Sequence, residues 1–531
     1  IVGTLTGFSH VIPEIEVIRT TRTEKGGVEY NEEWFENGVW CIKVGDSAEA
    51  WARSIGKLLA GKYKADKIIF DFSEIRPAGQ RLNGYGWISS GDDSISVAYP
   101  AIAKILNKRA GSLLNKLDML DIVNWLGTIL SSRRSVEIAL VDYGSGEWYE
   151  FAEAKQNWWE DNPQRVQSNN SLVFNQKPTR DELLSIFEMV VRNGGSEPGF
   201  INGEAARARA PWFQGINPCA EILLPNKGFC NLVDPNAAAF IGDSAGFFKA
   251  IKLVARANYR QTIVDFRDGV LQESWHLNNE FLHLCGVGMT GAGARDDMTA
   301  YDWKQLRYAA VCSAYAMAEE LDQPRPANIT TLKPSGTSSK VLGSPEGVHL
   351  PLGRYIFNWI KFSINDPLCE KLRAANYMEQ EEPTDTTSTL FCLPVRYDNV
   401  KFSNVTLEDG REVEVNLESA ITQLERYKKL QVNWCDQNVS NTISYDPSEV
   451  DGIVDWLLEN WDIYVGVSFL FRTDPTKTAA DLGYKYLPQE VKTKQEYDEY
   501  VQTLGKIDFS DTETFEELSE DECAGGACPI K

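Results

Sequence analysis

A chain of 531 residues with 43% hydrophobic and 24% charged residues has the make-up of a globular protein with a large core. Its 53 Lys and Arg face 76 Asp and Glu, a formal charge of −23, which argues against holding a nucleic acid polymer but leaves room for a nucleotide in a local pocket. No apolar run of membrane-spanning length and no signal-peptide pattern is seen, and ten scattered cysteines read as reduced thiols of a cytoplasmic protein. The first residues, Ile1-Val2-Gly3, carry no Met, so a fragment, a processed chain or half of a split protein is expected.

In chain order, glycines and hydroxyls alternate with apolar residues in Gly3-Thr4-Leu5-Thr6-Gly7-Phe8-Ser9-His10, the pattern of a loop with a close backbone approach. The stretches 39–44 and 67–72 read as strands. Between them a helix capped by Asp46 or Ser47 would bury Trp51, Ile55, Leu58 and Leu59 and end at Gly61. A Gly- and Ser-rich loop runs from Asp71 to Gly91. The spacing then predicts a helix over 115–130, a strand over 133–140 and a polar turn at Ser168-Asn169-Asn170-Ser171. Thr179 and Glu182 make a capping box for a helix that Gly194 and Gly195 close. Further helices are expected around 246–262, 306–321, 417–434 and 448–460, and a strand over 464–471. This alternation predicts one large α/β unit, 1–505. From Lys506 the chain turns acidic and aperiodic, which predicts a flexible tail over 506–531.

Chemistry concentrates in Asn217-Pro218-Cys219-Ala220-Glu221, followed by Gly228-Phe229-Cys230-Asn231-Leu232. If this stretch is extended, Asn217, Cys219 and Glu221 face one side. An amide, a thiol and a carboxylate in one cavity form a reaction set; a buried structural cysteine beside a hairpin is the plainer alternative. Near the C-terminus, Cys523 and Cys528 are separated by Ala-Gly-Gly-Ala and can close a disulfide or exchange with other thiols. Zinc, the other use of such a pair, lacks a second Cys or His pair nearby. Thr331-Leu332-Lys333-Pro334-Ser335-Gly336-Thr337-Ser338-Ser339 is a hydroxyl-rich turn that could nest an anion or simply cap a helix. Gly286-Val287-Gly288-Met289-Thr290-Gly291 matches the dinucleotide fingerprint in letters, but 278–285 before it reads as helix, so a close-packing turn is expected. His10, His276, His283 and His349 read as packing or surface residues, and no metal site is expected.

Taken together, these strings resemble the ribonucleotide reductases, nearest the adenosylcobalamin-dependent (class II) enzymes of the monomeric ribonucleoside-triphosphate type. The resemblance runs from the Gly-Phe-Ser segment to the terminal dithiol. In that family a loop reads Asn-x-Cys-x-Glu, and the step from Cys219 to Cys230 matches the family's radical cysteine and one member of its reducing pair. Stretches 286–291 and Asp436-Gln437-Asn438-Val439-Ser440-Asn441 look like family landmarks without an assigned catalytic role. Class I large subunits carry adjacent tyrosines near the C-terminus, whereas here Lys485 splits Tyr484 from Tyr486. Class III enzymes need Arg-Val-x-Gly-Tyr, a context that Gly483-Tyr484 lacks. The Asp-x-His-x-x-Gly cobalamin signature is also absent, as in the enzymes that bind cobalamin without a protein histidine.

The resemblance implies a ten-stranded α/β barrel of two five-stranded halves, with a buried Cys219 at the tip of a central finger loop. It implies adenosylcobalamin as cofactor, a thiyl radical on Cys219, and a proton accepted from the ribose by Glu221. Asn217 would hold the sugar hydroxyls, and Cys230 with a partner cysteine would supply electrons. Pro334, Ser335, Gly336, Thr337 and Ser338 would receive the substrate phosphates. Cys523 and Cys528 would reset the active-site disulfide and be reduced by thioredoxin or a similar protein, with deoxynucleoside triphosphates as effectors. One departure stands out: the family's partner cysteine lies before the Gly-Phe-Ser loop and would precede Ile1, which leaves Cys41 as the nearby substitute or an N-terminal partner polypeptide. The alternatives are a class I-type large subunit acting on diphosphates, or half of a split reductase that is inactive without its N-terminal partner. A thiol–disulfide exchange protein would account for Cys523 and Cys528 but not for 217–221.

Overall fold

The computed structural model describes residues 11–21, 27–60, 64–80, 89–129, 137–267, 271–336, 338–383, 388–407, 409–477, 479, 481 and 485–508. Thr337, Cys523, Cys528 and the 3–10 segment therefore lie outside the described residues, as does most of the tail.

Four short strands come first: β1 (Glu14–Ile18), β2 (Glu32–Glu36), β3 (Val39–Lys43) and β4 (Lys67–Asp71). They pair in the order β1-β4-β3-β2, parallel except for β2. In β4 the fully buried Ile68 and Phe70 alternate with half-buried neighbours, the period-two pattern of a strand with one face in a core. Ser47 caps the helix Ala48–Leu59 as expected, its side chain accepting the Ala50 N–H. Helix Asp93–Lys108 packs Ile95, Tyr99, Ile102 and Leu106 into the same core. The sequence pattern does not announce it, because Pro100 stands inside it where proline normally breaks a helix. Helix Lys116–Gly127, opened by an Asn115–Asp118 capping box, completes this layer.

Three parallel strands follow, β5 (Glu137–Asp142), β6 (Ser168–Phe174) and β7 (Gly199–Asn202). The polar turn expected at 168–171 is instead the start of β6. Several polar groups of this buried strand find partners far away in sequence or next door. Ser168 donates to Asn170 Oδ1, and Asn169 donates to the Pro218 carbonyl at 2.9 Å. A short hairpin, β8 (Gly215–Ile216) and β9 (Leu223–Leu224), flanks the 217–222 loop. Next come β10 (Tyr355–Ser363), β11 (Glu379–Glu381) and β12 (Ser388–Arg396), an antiparallel group, and the hairpin β13 (Ser403–Thr406) and β14 (Glu412–Val415). The last strands are β15 (Thr442–Tyr445), β16 (Gly466–Phe471) and β17 (Gln489–Val491), the last pairing back onto β10.

Where the sheet changes direction matters for the site. β16 runs antiparallel to β7 and parallel to β15. The ladder then continues beyond β15 through single parallel bridges, Leu332 to Val439, Thr330 to Val287 and Val287 to Val233. Three parallel strands thus meet five parallel segments (466–471, 438–445, 328–332, 285–290 and 233–236) that run the other way. The α/β class is as the sequence predicts; in this ladder three strands and five segments are seen among the described residues, against the ten strands of the expected barrel. Glycine and proline at Pro235, Gly286, Gly288 and Pro334 keep several of these segments to bridges rather than long strands. The expected helices are Ser244–Arg260, Ala300–Glu320, Ala420–Asn433 and Val450–Glu459, and they cover the main core, which includes Trp303, Tyr427, Trp434 and Phe187. The second begins at Ala300 rather than 306 because Thr299 and Asp302 form a capping box there. Among the described residues no helix is long and apolar enough to cross a membrane.

Candidate active site

The 217–221 loop takes its shape from a turn, not from the extended run expected. The Ala220 N–H donates to the Asn217 carbonyl at 2.8 Å, and Ala220 sits at φ 60°, in the left-handed region that non-glycine residues enter rarely. Alternation of side chains therefore does not hold across the loop. Instead Asn217 and Glu221 turn inward, 4% and 1% exposed, while Cys219 stands on the outer side of the turn and is exposed rather than buried.

Asn217 is the organiser. Its Oδ1 accepts the N–H groups of Glu221 at 2.9 Å and Ile222 at 2.8 Å. The amide oxygen is thereby taken up, which leaves its NH2 to donate. The Asn217 side chain also acts on the Glu221 carboxyl and the Cys230 thiol, favouring the charged form of each, so the three groups the sequence singled out lie close together. Burial pushes the Glu221 carboxyl up to about 7, against the Asn217 hydrogen bond and the Lys333 charge; the Asp234 carboxylate adds to the rise. Among the described residues, the buried Glu221 Oε2 has no hydrogen-bond partner. Such a carboxyl can take or give a proton near neutral pH. Cys230 is accessible at its surface yet closely ringed by protein; desolvation, then the Glu221 charge, raises its thiol, and the Asn217 bond opposes this. A cavity of about 340 Å³ opens beside it, lined by Phe229, Asn231, Gln261, Thr262, Phe266 and Asn279.

Residues distant in sequence hold the loop in place. The Glu221 carbonyl accepts the Asn438 N–H at 3.2 Å, and the Thr331 hydroxyl lies 2.8 Å from both the Glu221 and Asn438 carbonyls. Asn438 Nδ2 donates to the Ala220 carbonyl at 2.6 Å, and Gln437 Oε1 accepts the Leu223 N–H at 3.1 Å. The 436–441 stretch, a landmark without a role in sequence, is thus the clamp of this loop. Its run of amide side chains was the available signal. Gly286 shows why its own segment packs closely: a Cβ there would lie 2.5 Å from the Asn231 carbonyl oxygen.

In the 334–338 turn Ser335 is buried at φ 60°, Pro334 is half-buried and Gly336 exposed. The Ser335 hydroxyl donates to the Asp234 carboxylate at 2.8–2.9 Å, the Ser338 hydroxyl donates to the same group, and Lys333 Nζ lies 3.4 Å from it. Asp234, absent from the residues expected, is the hub of this turn. Lys333 and Asp234 both act on the Glu221 carboxyl, which places the turn beside the Asn217–Glu221–Cys230 cluster.

No family model matches the chain. It is 27% identical over 542 residues to the adenosylcobalamin-dependent ribonucleoside-triphosphate reductase of Lacticaseibacillus paracasei, covering 92% of this chain and 70% of the relative. It is also 27% identical to the protein of that name from Lactobacillus helveticus, covering 96% of this chain and 72% of the relative. A crystal structure of a B12-dependent (class II) ribonucleotide reductase superposes with a TM-score of 0.70 at 23% identity, over 97% of this chain and 75% of that one. The chain is homologous to the adenosylcobalamin-dependent ribonucleoside-triphosphate reductases. It has the class II ribonucleotide reductase fold.

Two further expectations concern this reductase homologue. Cys41 lies on β3, in the N-terminal sheet and not in the sheet that holds the site; burial and then Glu36, Asp71 and Glu16 raise its thiol. Three histidines sit in packing roles: His276 lies 3.0 Å from Glu280, His283 Nδ1 3.0 Å from the Thr262 hydroxyl, and His349 Nε2 accepts the Thr442 N–H at 2.9 Å. Among the described residues no group of three or more His, Cys, Asp or Glu is placed to hold a metal ion.

Proposed function

We propose that this chain reduces ribonucleoside triphosphates to 2′-deoxyribonucleotides for DNA precursor synthesis, with a thiyl radical on Cys219. The observation that carries this reading is the convergence of Glu221 and Cys230 on one amide, Asn217, next to the exposed Cys219. A ribose in that space would meet a proton acceptor, a thiol and a hydroxyl-holding amide at once.

The residues fit adenosylcobalamin in one respect that can be tested on the geometry. Cys219 would face such a group from the exposed, outer side of the turn. When bound, adenosylcobalamin supplies the one-electron oxidation that Cys219 needs. Cys219 Sγ then exchanges a hydrogen atom with C3′ of the ribose. Glu221, ionised, takes the 3′-hydroxyl proton, and the Asn217 NH2 donates to the sugar hydroxyls. The 2′-hydroxyl, given a proton by the thiol pair, would leave as water. Cys230 and a partner thiol give the two electrons and become a disulfide, which Cys523 and Cys528 would reset in turn with thioredoxin or a similar reductant. The 334–338 turn would hold the phosphates. Residues 1–505 act as the catalytic unit and 506–531 as the redox tail; deoxynucleoside triphosphates would act as effectors, and an N-terminal polypeptide could supply the partner thiol.

The test is electron paramagnetic resonance of the anaerobic protein mixed with adenosylcobalamin, a ribonucleoside triphosphate and dithiothreitol. A cob(II)alamin signal coupled to a thiyl radical, abolished in Cys219→Ser, is the expected outcome. An uncoupled signal, or one unchanged in the serine variant, would remove Cys219 from the reaction.

A further inference from the structure

The direction in which a side chain leaves the backbone is set by the two peptide planes that meet at its Cα, because each plane is rigid and only the dihedrals between them turn. Around Cys219 these planes are tied down one after another. The plane shared by Cys219 and Ala220 is held by the turn itself, through the Ala220 N–H on the Asn217 carbonyl at 2.8 Å. The plane shared by Ala220 and Glu221 is held from a distance. Asn438 Nδ2 donates to the Ala220 carbonyl at 2.6 Å, and the Tyr427 hydroxyl, 3.0 Å from Asn438 Oδ1, orients that amide. The plane ahead of Cys219 starts at Pro218, which has no N–H to give. Asn169 reaches it: its Nδ2 donates to the Pro218 carbonyl at 2.9 Å, across 49 positions of chain.

Asn169 is well placed for such a task. It lies on β6, where successive side chains alternate between faces, so it points toward the loop while Ser168 and Asn170 bond to each other on the opposite face at 2.8 Å. The strand under it is braced on either side in sequence. Lys155 Nζ donates to the Ser168 carbonyl and, at 2.8 Å, to Glu197, and Glu197 in turn accepts the Asn170 N–H at 3.2 Å. Asn169 itself is in register with Ile138 of β5. The amide therefore presses on the loop from a strand that cannot step back, on the side of the sheet opposite in direction to the segment that carries Asn438.

We infer that Asn169 is a positioning residue for Cys219: by holding the peptide plane ahead of the thiol it sets the direction of the Cα–Cβ bond, and with it the place of Sγ. The effect on turnover rests on the reading of Cys219 as the radical thiol, whereas the hold on the loop can be measured without that reading. Two measurements on the full chain test it, in wild type, Asn169→Asp and Asn169→Ala. Aspartate keeps the shape of the side chain but has no proton to give at neutral pH, and alanine removes the donor without adding a charge. The first measurement is hydrogen exchange by mass spectrometry at residue resolution. In both variants the Ala220 N–H should exchange about fivefold faster, as for loss of one hydrogen bond, while the Glu221 and Ile222 N–H groups, held by Asn217 Oδ1, exchange as in wild type. The second is deoxynucleotide formation with adenosylcobalamin, a ribonucleoside triphosphate and dithiothreitol. There kcat should fall about 100-fold with KM within about threefold of wild type, because a displacement of about 1 Å at a reacting atom costs that much while the binding groups stay in place. Unchanged Ala220 exchange would overturn the inference, and so would equal acceleration of all three N–H groups, which means general loosening. An effect in Asn169→Asp alone would trace it to the new charge and overturn it too, as would faster exchange with undiminished kcat. If wild type itself forms no deoxynucleotide, the reductase reading fails, and the exchange pattern alone decides whether Asn169 holds the loop.

Discussion

Glu221 is a carboxyl kept from water, where the Asn217 amide, its own backbone N–H and the Lys333 charge favour ionisation too weakly to offset burial. In the folded chain it holds its proton up to about pH 7, against an ordinary value of 4.5. Between those values the folded state binds more protons than the unfolded one, so stability is full below pH 4.5 and is lost as pH rises through 7. The loss is on the order of 3 kcal/mol. Glu221→Gln should therefore be more stable than wild type at pH 8, by up to about 3 kcal/mol, and close to it at pH 4.5; urea unfolding at the two values measures this. Product formation should drop by about 100-fold or more. A variant less stable than wild type at pH 8 would mean that the carboxylate is well satisfied. The string Asn217, Glu221, Cys230 was legible from sequence as a set, because its residue types and spacings are local. How the set assembles was not, since a period-two argument presumes extended backbone and Ala220 turns it. Asp234 was invisible for another reason: it meets Ser335 across 101 positions of chain, and only the ladder of 233–236 on 285–290 brings them together.

Among elements, two glycines show how the same residue serves opposite ends. Gly286 lies where 285–290 presses on 231–233, with the Asn231 oxygen 2.5 Å and the Leu232 Cδ2 atom 2.6 Å from where a Cβ would stand. Gly286→Ala should cost about 2–3 kcal/mol, because the neighbour is a ladder backbone that cannot step aside. Gly452, exposed within the helix Val450–Glu459, has nothing nearer than 3.8 Å, and Gly452→Ala should stabilise by up to about 1 kcal/mol. Chemical denaturation of the pair should give shifts of opposite sign; a destabilised Gly452→Ala would refute the helix-propensity argument. Helices announced by caps, such as Ser47 and Thr179 with Glu182, were readable because cap and helix are neighbours. Two kinds of element escaped: Asp93–Lys108, masked by Pro100, and β6, whose polar start is satisfied by Asn169 reaching the Pro218 carbonyl. Both depend on packing that overrides local preference.

At the scale of the whole molecule the surface is strongly acidic, with a formal charge of −23. Self-repulsion of that kind opposes the compact state and is screened over about 10 Å at 0.1 M salt. Raising sodium chloride from 20 to 200 mM should lift the thermal midpoint by about 2 °C or more at fixed scan rate. A fall would mean that attractive ion pairs, such as Arg165–Asp121 or Arg426–Glu418, outweigh the repulsion. Composition and βα alternation were enough to read the α/β class, but not the reversal of direction between β7 and β16, which nothing local encodes. That reversal is where the thiol loop sits. Its Glu221 carbonyl takes the Asn438 N–H, and the Thr331 hydroxyl joins the same junction, so the loop is a rung of the ladder as well as the bearer of the chemistry. A copy of the chain still being made cannot close that junction before Asn438, 218 residues after Ala220, is in place. Fixing the loop is therefore a late event in the assembly of the chain, completed by the backbone and side-chain bonds of Thr331 and Asn438.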